Sequence, residues 1–186
     1  DDVAAFCTEQ EPEPIDYIYY ENFDANTSLY NIWLNNTAEW QNFKGTGSEN
    51  VSYGSWNVQL RNRLPQYYED ASGNCYAYVF SEEGNNLTVK GISLGSEEVN
   101  LRLTFGGNFT AEDMTVSVAS SERSAVLTYT GPASNGTWTK YSVDFTLTTP
   151  VDKLSLTFTK QNTSFSPGID DIKLEAIDTP SGQTID

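Results

Sequence analysis

Histidine is absent from all 186 residues. With it go the commonest general base, the usual Ser–His and Cys–His nucleophilic pairs, and zinc sites built on imidazole. Basic residues are scarce too: ten Lys and Arg stand against 26 Asp and Glu, a formal charge of −16. A chain of that sign is repelled by phosphate backbones and anionic lipid, so nucleic acid is excluded as a partner. No apolar run approaches the roughly 20 residues of a spanning helix, and no direct membrane insertion is expected. The amino-terminal Asp1-Asp2-Val3-Ala4-Ala5-Phe6 lacks the charged-then-apolar form of a leader, so any export signal is expected to have been removed. Only two cysteines occur, Cys7 and Cys75. If paired they would stabilise the fold by roughly 4 kcal/mol through loop closure, and if not they are two idle thiols; the sequence leaves both open.

What the chain does contain is aromatic: 11 Tyr, 9 Phe and 4 Trp, against only 19% charged residues. That profile is too aromatic for disorder and too polar for a membrane protein, and the length suits one folded domain. Residues 1–14 end in Glu11-Pro12-Glu13-Pro14 and read as an extended linker arm. A period-two pattern then runs over 15–177, and 178–186 reads as a short tail. Tyr141, Val143, Phe145 and Leu147 share one strand face, as do Leu154, Leu156 and Phe158, Leu101, Leu103 and Phe105, Met114, Val116 and Val118, and Leu87 with Val89. Turn chemistry separates them at Ser72-Gly73-Asn74, Gly106-Gly107-Asn108 and Ser134-Asn135-Gly136. About eleven strands follow from this count, and no stretch sustains helical spacing. Half-apolar strands must bury one face against a second sheet, so the expected fold is all-β, a two-sheet antiparallel sandwich of jelly-roll, galactose-binding-like type.

Carboxylates stand at both ends of the domain. The first strand places Tyr19, Glu21 and Phe23 on one face, setting a carboxylate among aromatics. In the last strand Ile172, Leu174 and Ala176 are in phase, which would turn Asp170 toward the core, while Ile169 is out of phase. This parity break predicts a bulge at Asp170-Asp171 that re-aims a carboxylate. Buried carboxylates need partners, and calcium takes six to eight oxygens, so Glu21, Asp24, Asp170 and Asp171 are candidate ligands. A solvated strand edge with Asp170 capping backbone amides is the simpler alternative.

Glu21-Asn22-Phe23-Asp24 and Gly168-Ile169-Asp170-Asp171-Ile172-Lys173-Leu174, with Trp40-Gln41-Asn42-Phe43 through Gly73 between them, resemble jelly-roll modules of secreted and surface proteins of Bacteroidetes. These are the cleaved-adhesin or choice-of-anchor J modules, with MAM domains and family 6 carbohydrate-binding modules more distant. The resemblance implies a structural calcium shared by Glu21 and Asp170, with Asp24 and Asp171 less fixed by the pattern. This chain lacks the adhesin-type Trp-Leu-Ile-Ser-Pro stretch, its nearest counterpart being Leu87 through Leu94. That departure weakens transfer of any particular partner.

The densest aromatic stretch, 40–78, also holds Arg61 and Arg63. Sugars stack their C–H faces on flat rings and need fixed donors for their hydroxyls. The expected glycan-binding residues are therefore Tyr53, Tyr67 and Tyr68 for stacking, with Trp40 as a weaker ring, and Arg61 and Arg63 for hydrogen bonds. Core filling is the competing use of these rings, and Trp56, Val58 and Leu60 fit it. No Glu-x-Asp-x-Glu strand of the kind sandwich glucanases carry occurs, so no enzyme activity is expected. The chain reads as a noncatalytic carbohydrate-binding module with a structural calcium, one monomeric unit of a larger extracellular, outer-membrane-surface or periplasmic protein. The alternative is an adhesion module that contacts a surface protein and binds no sugar.

Overall fold

The computed structural model describes residues 17–24, 51–53, 58–62, 68–73, 75–79, 82–162, 164–179 and 182–186, with backbone alone for 51–53 and Asn62. The expected linker arm, 1–14, lies outside them. The described residues form twelve strands and no helix. In chain order these are β1 (Tyr19–Glu21), β2 (Val51–Tyr53), β3 (Val58–Asn62), β4 (Cys75–Val79), β5 (Asn86–Ser93), β6 (Asn100–Gly107), β7 (Met114–Ala119), β8 (Ser124–Leu127), β9 (Thr139–Leu147), β10 (Lys153–Lys160), β11 (Gly168–Ala176) and β12 (Gln183–Ile185).

They make two sheets, as the alternation requires. The larger runs β12-β9-β6-β11-β4-β3, with β1 also paired to β11; the smaller runs β2-β5-β10-β7-β8. The apolar phases of β6, β7, β9 and β10 are buried: Leu101, Leu103, Phe105, Tyr141, Val143 and Phe145 from the larger sheet, and Met114, Val116, Val118, Leu154, Leu156 and Phe158 from the smaller. The result is an all-β sandwich of jelly-roll type. Phe105 centres an aromatic cluster, its ring 4.9 Å from that of Tyr141 and 5.2 Å from that of Phe158. The Tyr141 hydroxyl donates to the Phe109 carbonyl, and burial raises its pKa to about 12.

Two expectations change. The stretch 178–186, expected as a tail, supplies β12, which pairs parallel to β9 and buries Ile185. Gln183 of this strand accepts from Thr128 N and donates to the Val126 carbonyl, so one amide side chain ties β12 to the margin of the smaller sheet. Asp170 does not face the core. It pairs with Gly106, which is out of phase with core residue Phe105, so Asp170 lies on the outer face of the larger sheet. The reason is the predicted bulge, seen as a register shift between Asp170 and Lys173 and a left-handed Asp171 at φ 48°.

Inward parity also buries Lys160, 1% exposed, whose ammonium has no hydrogen-bond partner among the described residues. Desolvation pulls its pKa below the usual lysine range, with Asp113 acting in the opposite sense. Asp113 is itself held by Thr110 N, the Thr110 hydroxyl and the Asn162 amide. Lys160→Met should therefore raise stability by about 1–2 kcal/mol, since an apolar isostere removes an unsatisfied buried charge without orphaning Asp113. Phe145→Ala should cost about 3–5 kcal/mol by opening a cavity. Urea denaturation of both variants checks the two opposite signs.

Candidate functional site

The site grows from the way β11 is flanked. Along one side of this strand, Gly168 and Ile169 pair with β4, and Ile172, Lys173 and Leu174 pair with β1. The bulged Asp170 and Asp171 stand at the gap between those two neighbours, where main-chain donors from other segments can reach them. Asp171 Oδ1 accepts from the Tyr20 hydroxyl at 2.9 Å, and Oδ2 accepts from the Tyr68 hydroxyl at 2.5 Å and Ser72 N at 2.9 Å. Asp170 Oδ1 accepts from Asp171 N at 2.8 Å, and its Oδ2 lies 3.4 Å from the Tyr68 hydroxyl.

Asp24 joins from the end of β1. It accepts from Cys75 N at 2.9 Å and from the Ser72 hydroxyl at 3.1 Å. Its carboxylate fits only because residue 73 is glycine, for a Cβ there would lie 2.2 Å from it. Glu21 completes the group: Oε1 accepts from Phe23 N at 2.6 Å, while Oε2 is buried with no hydrogen-bond partner among the described residues. Desolvation, with Asp24 and Asp171 nearby, holds the Glu21 carboxyl well above the usual range. All four carboxylates named from the sequence are thus buried at one junction, none more than 3% exposed. Among the described residues no group of three or more Asp, Glu or Cys side chains is placed to hold a metal ion by itself. Asp24 and Asp171 accept hydrogen bonds through both oxygens, whereas Glu21 Oε2 has no hydrogen-bond partner among the described residues.

Above this junction lies an aromatic patch on the outer face of the larger sheet. Cross-strand register sets Tyr78 between Gln59 and Gly168, and Arg61 beside Tyr76. Gly106 and Gly168 leave the sheet bare, and rings occupy the space: a Cβ at 106 would come 2.3 Å from the Tyr68 ring, and one at 168 would come 2.8 Å from both Trp138 and Tyr76. Tyr68 stacks on Trp138 at 5.9 Å and 15°, and Tyr76 meets Trp138 edge-on at 5.1 Å. Arg61 lies 4.8 Å over the Tyr78 ring and donates through Nε to Gln59 Oε1 at 2.6 Å. All four rings are half-buried. Beside them Lys140 pairs with Asp70 at 2.7 Å.

Of the sugar-binding residues named from sequence, Arg61 and Tyr68 fall in this patch. Trp40, Arg63 and Tyr67 lie outside the described residues. Tyr53 belongs to β2, in the smaller sheet, so it does not share a sheet with Arg61. Gln59 shares with Arg61 the polar face of 57–63 that the sequence offers as a glycan platform, Tyr76 and Tyr78 belong to the aromatic stretch 40–78 without an assigned role, and Trp138 is not among the residues named from sequence. The signal for the two tyrosines was present, since they occupy the phase of β4 opposite to buried Cys75, Ala77 and Val79, where a half-buried strand ordinarily carries polar side chains. Trp138 follows a turn and had no such marker. Gly168→Ala should cost about 1–3 kcal/mol and alter the near-ultraviolet circular dichroism of the patch, because the new methyl must displace Trp138 and Tyr76. An unchanged spectrum would count against the packing described.

No sequence-family profile matches the chain, and no curated protein does. Solved structures match in three dimensions. The CBM22-1 xylan-binding domain of Paenibacillus barcinonensis Xyn10C aligns with a TM-score of 0.54 at 10% identity, over 91% of this chain and 99% of that one. The CBM22-1–GH10 modules of Clostridium thermocellum endo-1,4-β-D-xylanase 10B, complexed with xylohexaose, align with a TM-score of 0.54 at 14% identity over 88% of this chain. Here the present chain spans 29% of the xylanase chain's length. The K2 cleaved adhesin domain of Lys-gingipain aligns over 86% of this chain and 98% of that one at 15% identity, with a TM-score of 0.46. Likeness at such identities is likeness of fold: the chain is built as a β-sandwich of the kind found in carbohydrate-binding modules.

Proposed function

We propose that this chain is a noncatalytic carbohydrate-binding module whose ligand lies on the outer face of the larger sheet. The observation that carries the reading is the group of half-buried rings Tyr68, Tyr76, Tyr78 and Trp138 over a glycine floor, with the Arg61–Gln59 pair beside them. Flat rings next to fixed polar groups are what a saccharide's apolar face and hydroxyls require. Xylan, the ligand named for the Paenibacillus domain, is the first polysaccharide to test. The competing adhesion reading calls for a broad apolar patch, yet among the described residues Val126 is the single exposed large hydrophobic. Cys75 is disulfide-bonded, which supports an oxidising, extracellular or cell-surface location.

A structural calcium at the β1–β11 junction is part of the proposal. Glu21 Oε2 and Asp170 would supply side-chain oxygens, and backbone carbonyls and water would complete the six to eight that calcium takes. The ion would neutralise carboxylates that otherwise repel one another across a buried junction.

Three outcomes follow. Trp138→Ala should weaken xylan binding about tenfold or more, measured by isothermal titration, while leaving the melting temperature close to that of the parent. Calcium should raise the melting temperature relative to chelator, and Glu21→Gln should abolish that rise. In chelator, the raised Glu21 carboxyl makes ionisation cost stability as pH climbs above its unfolded value of 4.5. Glu21→Gln should therefore melt higher than the parent at pH 7 and show a flatter dependence between pH 4 and pH 7. Equal melts in all these conditions would remove the calcium, and xylan affinity unaffected by Trp138→Ala would remove the assigned face.

A further inference from the structure

We propose that Tyr68 is a positioning residue, through which the buried carboxylate junction sets the orientation of Trp138 on the ligand face. Two layers otherwise separate in function meet in this side chain. Its hydroxyl reaches down to Asp171 Oδ2 at 2.5 Å, and its ring lies flat against Trp138 and fills the space above Gly106. The loop that carries it is pinned to the same carboxylates: Ser72 N donates to Asp171 and the Ser72 hydroxyl to Asp24. Asp70, at φ 62°, reaches from this loop to Lys140 on β9. A ring held at both ends has one orientation, and Trp138, stacked on it and met edge-on by Tyr76, inherits that orientation.

Tyr20 supplies the control. Its hydroxyl donates to the other oxygen of the same carboxylate, Asp171 Oδ1, at 2.9 Å, but its ring packs against Tyr17 and beneath the Lys173 ammonium. The two phenols thus make the same kind of bond to one acceptor, and only Tyr68 carries that bond to the ligand face.

The affinity arm of the test rests on the glycan reading; the spectroscopic arm does not. Tyr68→Phe and Tyr20→Phe are compared with the parent in the full, disulfide-bonded chain, well below the melting temperature. The Trp138 contribution to near-ultraviolet circular dichroism is assigned by difference with Trp138→Phe. Tyr68→Phe should change that signal and weaken xylan binding about fivefold, while Tyr20→Phe lowers the melting temperature and leaves signal and affinity at parent values. Asp171→Asn, tolerated at a left-handed position, should move the signal in the same direction as Tyr68→Phe, and the double variant should go no further. The proposal is overturned if Tyr68→Phe keeps the parent signal, if Tyr20→Phe shifts it equally, or if affinity holds while the signal changes. If the parent itself binds no xylan or other polysaccharide, the glycan reading falls, and the Trp138 signal alone decides whether Tyr68 sets the ring.

Discussion

The burial of four carboxylates at the junction of β1 and β11 is the constraint on which the rest depends. Unpaired, such charges oppose folding by several kcal/mol each, so the chain must bring donors to them. It does so with the backbone amides of Ser72 and Cys75 and the hydroxyls of Tyr20, Tyr68 and Ser72. Those contacts fix the path of the loop before β4, and that loop covers one end of the ligand face. Electrostatic necessity at the junction therefore shapes a surface several residues away.

The bulge in β11 is what makes this possible. A regular strand would alternate its side chains strictly and could not present two consecutive aspartates to one set of partners. With Asp171 in the left-handed region, both carboxylates meet the Tyr68 hydroxyl, while Ile169 and Ile172 remain in the core on either side. Gly106 and Gly168 complement it, since they keep the neighbouring sheet low enough for rings to lie on it.

Much of this was legible in the sequence, and for a physical reason. Alternation reports burial directly, so the phases of β6, β7, β9 and β10 and the sandwich itself could be read residue by residue. The parity break at Asp170 disclosed the bulge. Its consequence was misjudged because phase was counted from Ile172 backward through the irregularity, which sent Asp170 to the wrong face. β12 escaped notice because three residues, Gln183 to Ile185, are too few to show a period. The ligand face was half legible: Arg61 and Tyr68 lie in a conspicuous aromatic segment, but Trp138 arrives from a turn some seventy residues later in the chain and is placed by tertiary packing alone.

The pairing of Tyr19 with Leu174 also governs the order in which the chain matures. During synthesis the first strand waits for its partner until nearly all of the domain has emerged, and closing so long a loop is a slow, late event. Through that interval an aromatic-rich segment, Tyr17 to Phe23, is exposed to neighbouring chains. Glu21 and Asp24 stay hydrated and charged there, and such gatekeeping charges discourage strand-to-strand aggregation until β11 arrives to bury them.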